Sequence, residues 1–169
     1  AGNNLQNTRN AAQERVIGVD NAAALHVKWA FAARGGIRAT PTTSGGSVYV
    51  PDAGGFLHRL DAATGEPVWS IRLSDLFGQP SLVIASRTSP VVVGNKVILG
   101  TVRVCTGPRA EQVCPFPSAV VALEKNTGAL LWSTQVDDHP YASLIGSPVA
   151  FGNRLFIGVS SNEETAASF

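Results

Sequence analysis

Three groups of side chains in the sequence can bind ligands or react. Glu163 and Glu164 are adjacent carboxylates that follow Ser160 closely, and carboxylate oxygens are the ligands that hard cations such as Ca2+ prefer. Arg87 offers a planar fork of donors suited to oxygen-rich ligands. Asp137 and Asp138 form a second acidic pair. Two neighbouring aspartates in a loop are usually solvated, and a catalytic role would require a separation that sequence does not give.

Cys105 and Cys114 lie nine positions apart in a segment rich in proline and glycine. Paired cysteines in such a short loop favour a disulfide-closed hairpin and therefore an oxidising compartment. Two free thiols are the alternative. A zinc site is disfavoured, because the loop lacks both the close ligand spacing and the further His or Cys ligands that zinc sites use.

Composition narrows the classes of partner. The chain has 169 residues, of which 44% are hydrophobic and 15% charged, as in a folded globular protein. The net charge is +1 and like charges do not cluster, which argues against nucleic acid or an anionic membrane surface as partner. Apolar stretches are far too short to span a membrane, and no leader pattern opens the sequence.

Internal repeats organise these residues. The segment 60–69, LDAATGEPVW, returns at 123–132 as LEKNTGALLW, an offset of 63. The segment 89–100 returns at 147–158 with an offset of 58, and a weaker copy covers 40–50. Repeats of this period indicate an array of similar structural units.

Each unit reads as four antiparallel strands separated by glycine-containing turns, which is a β-propeller blade. We therefore predict an all-β fold and a single partial propeller over 1–169. Its parts are an N-terminal segment with an outer strand at 25–31 (1–37), two blades (38–86 and 87–144) and the start of another (145–169). About two and a half blades cannot close a ring, so the sequence predicts a fragment, a split subunit, or a protomer completed by other chains.

The Leu-Asp-Ala-Ala-Thr-Gly-Glu-x-x-Trp unit resembles the repeat of the pyrroloquinoline quinone (PQQ) dependent quinoprotein alcohol dehydrogenases. The resemblance covers nearly the whole chain. The N-terminal stretch is also similar, at residues 7–9, 21–25 and 27–31. Three further segments resemble the members that oxidise polyvinyl alcohol: 86–90, 133–140 and 159–164.

This resemblance implies a propeller of eight blades in the complete fold, with PQQ and Ca2+ near its axis. It also implies oxidation of an alcohol substrate to a carbonyl by hydride transfer to PQQ, followed by electron transfer to cytochrome c. The implied location is the bacterial periplasm or the exterior, and the remaining blades would come from another chain or a missing segment.

The same resemblance assigns roles to individual residues. Arg87 matches an arginine that faces the quinone, and Ser160 matches a serine that contacts PQQ. Glu163 matches a Ca2+ ligand, and Glu164 competes for that role because a shift of one residue would exchange them. The general base is expected beyond residue 169. Without the resemblance, Arg87 reads as a surface arginine and the two glutamates as solvated acids.

Some positions depart from the family pattern. Arg38 stands where methanol-oxidising relatives carry a glutamate, which weakens transfer of their substrate pocket. Those relatives have two adjacent cysteines beneath the cofactor, whereas Cys105 and Cys114 are separated. His139 and Tyr141 could line a substrate channel or belong to an ordinary surface loop.

A second function remains open from sequence. The same repeat builds propellers without a cofactor, such as the outer-membrane assembly lipoprotein, which act as binding scaffolds. The expected placement of Arg87, Ser160 and Glu163 on one face favours the enzyme over the scaffold.

Overall fold

A computed structural model of the chain describes residues 16–102, 104–106, 113–139 and 142–161. The chain forms two compact units, residues 1–30 and residues 31–169. Glu163, Glu164 and Tyr141 lie outside the described residues. Among the described residues, no helix is long and apolar enough to cross a membrane.

The described part of the first unit, residues 16–30, contains one short 3-10 helix, Ala22–Ala24. The carboxamide of Asn21 accepts a hydrogen bond from the Gly18 N–H at 2.8 Å and donates one to the Val16 carbonyl at 2.7 Å. The segment 25–31, predicted as an outer strand, pairs with no strand among the described residues, and Leu25 and Val27 are exposed. Because a strand forms only where a partner completes the ladder, the outer strand stays a prediction.

The second unit is built from antiparallel strands. Those of its described residues, β1 to β14 in chain order, are Thr42–Ser44, Ser47–Pro51, Phe56–Asp61, Pro67–Arg72, Val91–Val93, Lys96–Gly100, Val104–Thr106, Val113–Phe116, Ala119–Glu124, Leu130–Gln135, Ala142–Ser143, Val149–Phe151, Arg154–Phe156 and Ser160–Ser161. A four-stranded sheet has the order β1-β2-β3-β4, and a second has the order β10-β9-β6-β5. Three further pairs, β7 with β8, β11 with β14 and β12 with β13, are also antiparallel.

The two four-stranded sheets are consecutive blades, as predicted. Their central strands supply a shared core that includes Tyr49, Leu57, Leu99, Val121 and Leu123, all fully buried. A second 3-10 helix, Leu73–Phe77, follows β4. The β7–β8 hairpin packs on the same core, with the Phe116 and Phe77 rings in an edge contact 4.5 Å apart.

The Thr-Gly turn forms as its sequence predicts. In the first blade, one carboxylate oxygen of Asp61 accepts the N–H groups of Ala63 and Thr64 at 2.8 and 2.9 Å. In the second blade, Glu124 does the same for Asn126 and Thr127. The backbone hydrogen bond from Thr127 is the main reason that the pKa of Glu124 lies below its ordinary value. Both turns end in a glycine with positive φ.

The turn of the second blade docks on the outer strands of the first. The Trp69 indole N–H and the Arg59 guanidinium both donate to the Lys125 carbonyl at 3.2 Å. Gly128 lies against Trp69, and a Cβ at this position would overlap the Ile71 side chain. This confirms that Trp69 packs between blades.

Gly128→Ala therefore tests the docking. Alanine at positive φ costs about 1–2 kcal/mol, and the overlap with Ile71 adds about 1–3 kcal/mol. Gly46→Ala is the matched control, because Gly46 has the same φ of 73° with no atom within 4 Å of the added Cβ. Denaturant unfolding should show a larger loss of stability for Gly128→Ala, and equal losses would contradict tight docking of the turn.

Candidate functional site

The candidate residues that the structure describes lie at one end of the blades, here called the upper face. It is the end at which the first strand of each blade begins, the second ends and the third begins, as the antiparallel register requires. In the first blade it includes residues 34–40 and the β2–β3 loop, 52–55. In the second it includes residues 85–90 and the β7–β8 hairpin.

Hydrogen bonds join the innermost strands of successive blades. The Thr40 N–H donates to the Ser89 hydroxyl at 3.0 Å, and the Ser89 N–H donates to the Ser147 hydroxyl at 2.9 Å. Each of the three residues precedes a proline at the same position of the repeat. These two hydrogen bonds, here called the stitch, hold the two blades and the following repeat in register. The residues two positions before Thr40 and Ser89, which are Arg38 and Arg87, therefore occupy equivalent places.

Arg87 is held by its buried neighbours. The Thr88 hydroxyl accepts the Gly100 N–H at 2.8 Å, and the Ser86 hydroxyl accepts the Thr88 N–H at 3.1 Å. Ser86 and Thr88 are buried, whereas the Arg87 side chain between them is exposed. Within the described residues that side chain makes no hydrogen bond or ion pair, so its guanidinium is available to a ligand.

Arg87 is the first residue of the second predicted blade, but it precedes the first strand of that blade. Strand β5 begins at Val91. The ladder is continued upstream by the Thr88 side chain and by the Val102 N–H, which donates to the Ala85 carbonyl at 2.9 Å. A pattern of apolar and polar residues does not predict where a side-chain hydroxyl replaces a backbone hydrogen bond of the ladder, which explains the difference.

Ser160 lies on the upper face of the next unit. Strand β14 pairs with β11, so that Ser160 faces Ser143, and the residue is half-buried. By the repeat offset Ser160 corresponds to Val102 of the second blade, which pairs with the corresponding inner segment. Arg87 and Ser160 therefore lie on the same face, in the second blade and in the repeat that follows it.

The other candidates are placed as follows. Cys105 and Cys114 lie on the paired strands β7 and β8, in the register Val104 to Phe116; their side chains lie outside the description. The Asp137 carboxylate accepts the His139 N–H at 2.7 Å, so it closes a local turn. A cluster of three or more metal-ligating side chains is not found within the described ranges.

A buried hydrogen-bonded network in the first blade was not predicted from the sequence. His58 and Asp52 are 1% and 0% exposed, and the His58 Nε2 lies 3.0 Å from the Asp52 Oδ2. The His58 Nδ1 lies 2.8 Å from the Ser70 hydroxyl. The Phe31 and Phe56 rings flank the imidazole at 4.9 and 5.9 Å between centroids.

This network fixes the chain that leads to Arg38. Besides His58, Asp52 accepts the N–H groups of Arg34 and Phe56 at 2.9 and 3.0 Å. The Ala53 N–H donates to the Gly36 carbonyl at 3.0 Å. Gly35 lies so close to Gly54 that a side chain there would overlap its backbone. The available signal was a histidine, His58, in strand β3, together with an acid, Asp52, that directly follows β2.

Burial raises the pKa of the Asp52 carboxyl, and hydrogen bonds from His58, Phe56 and Arg34 lower it by more. The pKa therefore lies below its ordinary value of 3.8. A carboxyl whose pKa is lower in the folded than in the unfolded state stabilises the fold at pH values above its unfolded-state pKa. This stabilisation is lost as the pH falls through the folded-state pKa.

Asp52→Asn should lower the free energy of unfolding at neutral pH by about 1.5–3 kcal/mol, because a charged acceptor of several hydrogen bonds is lost. The variant should also lack this part of the acid destabilisation. Asp75→Asn, a change at an exposed acid, is the control. Chemical denaturation across acidic pH measures both effects, and parallel pH profiles for Asp52→Asn and the parent would contradict the assignment.

Comparisons with known proteins agree with this architecture. The profile of one family, PQQ_2, described as outer membrane protein assembly factor BamB, matches residues 13–168. Polyvinylalcohol dehydrogenase of Pseudomonas sp is 31% identical over 147 residues, which cover 85% of this chain and 20% of that protein. Quinoprotein alcohol dehydrogenase PedH of Pseudomonas putida is 28% identical over 155 residues, which cover 88% and 23%.

A solved structure, quinohemoprotein alcohol dehydrogenase ADHIIG from Pseudomonas putida HK5, aligns with a TM-score of 0.56 at 21% identity over 78% of this chain and 18% of that chain. That likeness supports the fold. The chain spans about a fifth of the length of the curated relatives it matches. Because the family profile matches most of its length, the chain belongs to the PQQ-repeat family of β-propellers, and its curated relatives include polyvinylalcohol dehydrogenases and quinoprotein alcohol dehydrogenases.

Proposed function

We propose that this chain forms part of a PQQ-dependent dehydrogenase that oxidises alcohols. The observation that carries the proposal is the exposed side chain of Arg87, on the same face as Ser160. Its guanidinium has no protein partner among the described residues, and the residues on either side of it, Ser86 and Thr88, are buried and hydrogen-bonded. The named activity of the relatives supports the class of reaction. The polyvinyl alcohol dehydrogenases among them favour a secondary or polymeric alcohol as substrate.

The described donors suit PQQ, which bears three carboxylates and an ortho-quinone. The Arg87 fork can donate two parallel hydrogen bonds to carboxylate or quinone oxygens, and the half-buried Ser160 hydroxyl can donate a third. When bound, PQQ supplies the hydride acceptor, and this chain contributes orientation and positive charge. The general base is expected outside this chain, and cytochrome c is the proposed electron acceptor.

Ca2+ is proposed as the companion ion, with Glu163 as its ligand and Glu164 as the alternative. Both follow Ser160 directly along the chain, and carboxylate oxygens suit a hard cation. The metal part of the proposal rests on the sequence resemblance alone.

A cofactor-free scaffold is the second candidate. The family description of an outer membrane assembly factor favours it. A scaffold would not need an arginine such as Arg87 that has no protein partner among the described residues. The scaffold hypothesis also predicts that the chain does not bind PQQ. Cofactor binding therefore separates the two candidates.

Titration of the chain with PQQ in the presence of Ca2+, followed by tryptophan fluorescence, tests the proposal. Arg87→Gln should weaken binding about tenfold or more, because a charge-assisted hydrogen-bond pair is lost. Arg154→Gln, a change at an exposed arginine of β13, should bind like the parent. Glu163→Gln should remove the dependence on Ca2+, and the same result for Glu164→Gln alone would assign that ligand instead. Equal affinity of Arg87→Gln and parent would refute the proposed site, and no binding by the parent would favour the scaffold.

We also infer a disulfide between Cys105 and Cys114, and with it a periplasmic or secreted location. Mass spectrometry after alkylation should find no labelled cysteine before reduction and two after it. Closing this short loop should contribute about 2–4 kcal/mol to stability, so reduction should lower the unfolding midpoint. Labelling of both thiols without a reductant, in protein purified from an oxidising compartment, would exclude the bond.

A further inference from the structure

We propose that Arg38 acts together with Arg87, and that the two arginines form an anion-binding arc for a planar polycarboxylate on the upper face. The identification of that ligand with PQQ rests on the proposed function. The arc itself rests on the register of the inner strands.

Arg38 and Arg87 hold equivalent positions in adjacent blades. Each lies two residues before the residue of the stitch, Thr40 and Ser89, which are joined by a 3.0 Å hydrogen bond. A second bond confirms that these blades are in register, because the Thr42 hydroxyl donates to the Pro90 carbonyl at 2.6 Å. The two guanidinium groups therefore start from neighbouring points at one level of the upper face.

The backbone before Arg38 is anchored. Asp52 holds the Arg34 N–H, and the Gly36 carbonyl accepts the Ala53 N–H. Anchored backbone limits where the side chain can reach, so less freedom is lost when it binds a ligand.

Both charges lack a counterion among the described residues. Arg38 is exposed, like Arg87, and neither has a hydrogen bond or ion pair in the described parts of the chain. The acid on the nearby β2–β3 loop, Asp52, is buried and already engaged by His58 and two N–H groups. Two neighbouring cations raise the local positive potential, which attracts ligands with more than one carboxylate.

The third position of the register is apolar. In the repeat that follows the second blade, Ile145 corresponds to Arg87 and is 48% exposed. It lies two residues before Ser147, whose hydroxyl accepts the Ser89 N–H. The arc is thus cationic at two positions and apolar at the third. This order suits a flat ring with carboxylates along one edge, and it disfavours a small inorganic anion that would use only the charges.

The test uses trimellitate, a benzene ring with three carboxylates, and benzoate as a single-carboxylate comparison. Calorimetric titrations at low salt compare the full chain with Arg38→Gln, Arg38→Lys, Arg87→Gln and the control Arg154→Gln. Arg38→Gln should weaken trimellitate binding about tenfold and leave weak benzoate binding nearly unchanged. Arg38→Lys should recover part of the affinity because it keeps the charge but loses the fork. Added salt should weaken trimellitate binding more for the parent than for Arg38→Gln or Arg87→Gln, because each of these variants has lost one of the two charges.

The same variants titrated with PQQ separate this inference from the proposed function. Trimellitate binding that needs both arginines, without PQQ binding, would support the arc and refute the cofactor. PQQ binding that needs Arg87 but is unchanged in Arg38→Gln would refute the arc and support the cofactor. Absence of binding to both ligands would refute both. Circular dichroism of each variant checks that it is folded, which the exposure of both arginines leads us to expect.

Discussion

The lateral contacts between blades are the constraint on which the rest of the structure depends. At the inner edge, the Thr40 N–H donates to the Ser89 hydroxyl and the Ser89 N–H donates to the Ser147 hydroxyl. At the outer edge, Trp69 and Arg59 hold the Lys125 carbonyl of the next blade. A single blade buries too little apolar surface alone, so these contacts create the shared core and fix each loop relative to its neighbours.

The two blades do not use identical contacts. Arg59, which reinforces the docking of Trp69, corresponds by the repeat offset to Ala122 in the second blade. Trp132, the counterpart of Trp69, is 37% exposed. The buried Asp52–His58 pair likewise has no counterpart at Val121. The first blade therefore carries extra polar anchors, and one of them, the Asp52–His58 pair, lies beside the segment that leads to Arg38, where a ligand site needs a fixed backbone.

Much of the fold could be predicted from sequence, because turn chemistry is local. Asp61, Thr64 and Gly65 define the turn within a few residues, and their spacing repeats at Glu124. The start of β5 could not be predicted, and the strand predicted at 25–31 finds no partner among the described residues, because both depend on segments distant in sequence. Site prediction was limited in the same way: Arg87 was found by resemblance and Arg38 as a departure from the family pattern, whereas the hydrogen bond between Thr40 and Ser89, which sets the two segments side by side, emerged only from the structure. The Asp52–His58 pair was missed because apolar periodicity does not report polar side chains buried as a pair.

The family match and the named relatives establish a PQQ-repeat propeller, and the open question is whether this chain presents a cofactor site. We propose that the upper face does so through Arg87, whose exposed side chain has no hydrogen bond or ion pair among the described residues. A crystal structure of the chain grown with PQQ and Ca2+ tests this most directly. The account predicts density for the cofactor at the upper face, with its oxygens within hydrogen-bonding distance of the Arg87 guanidinium. An Arg87 side chain paired to a carboxylate of its own chain, with the cofactor absent or bound elsewhere, would contradict it.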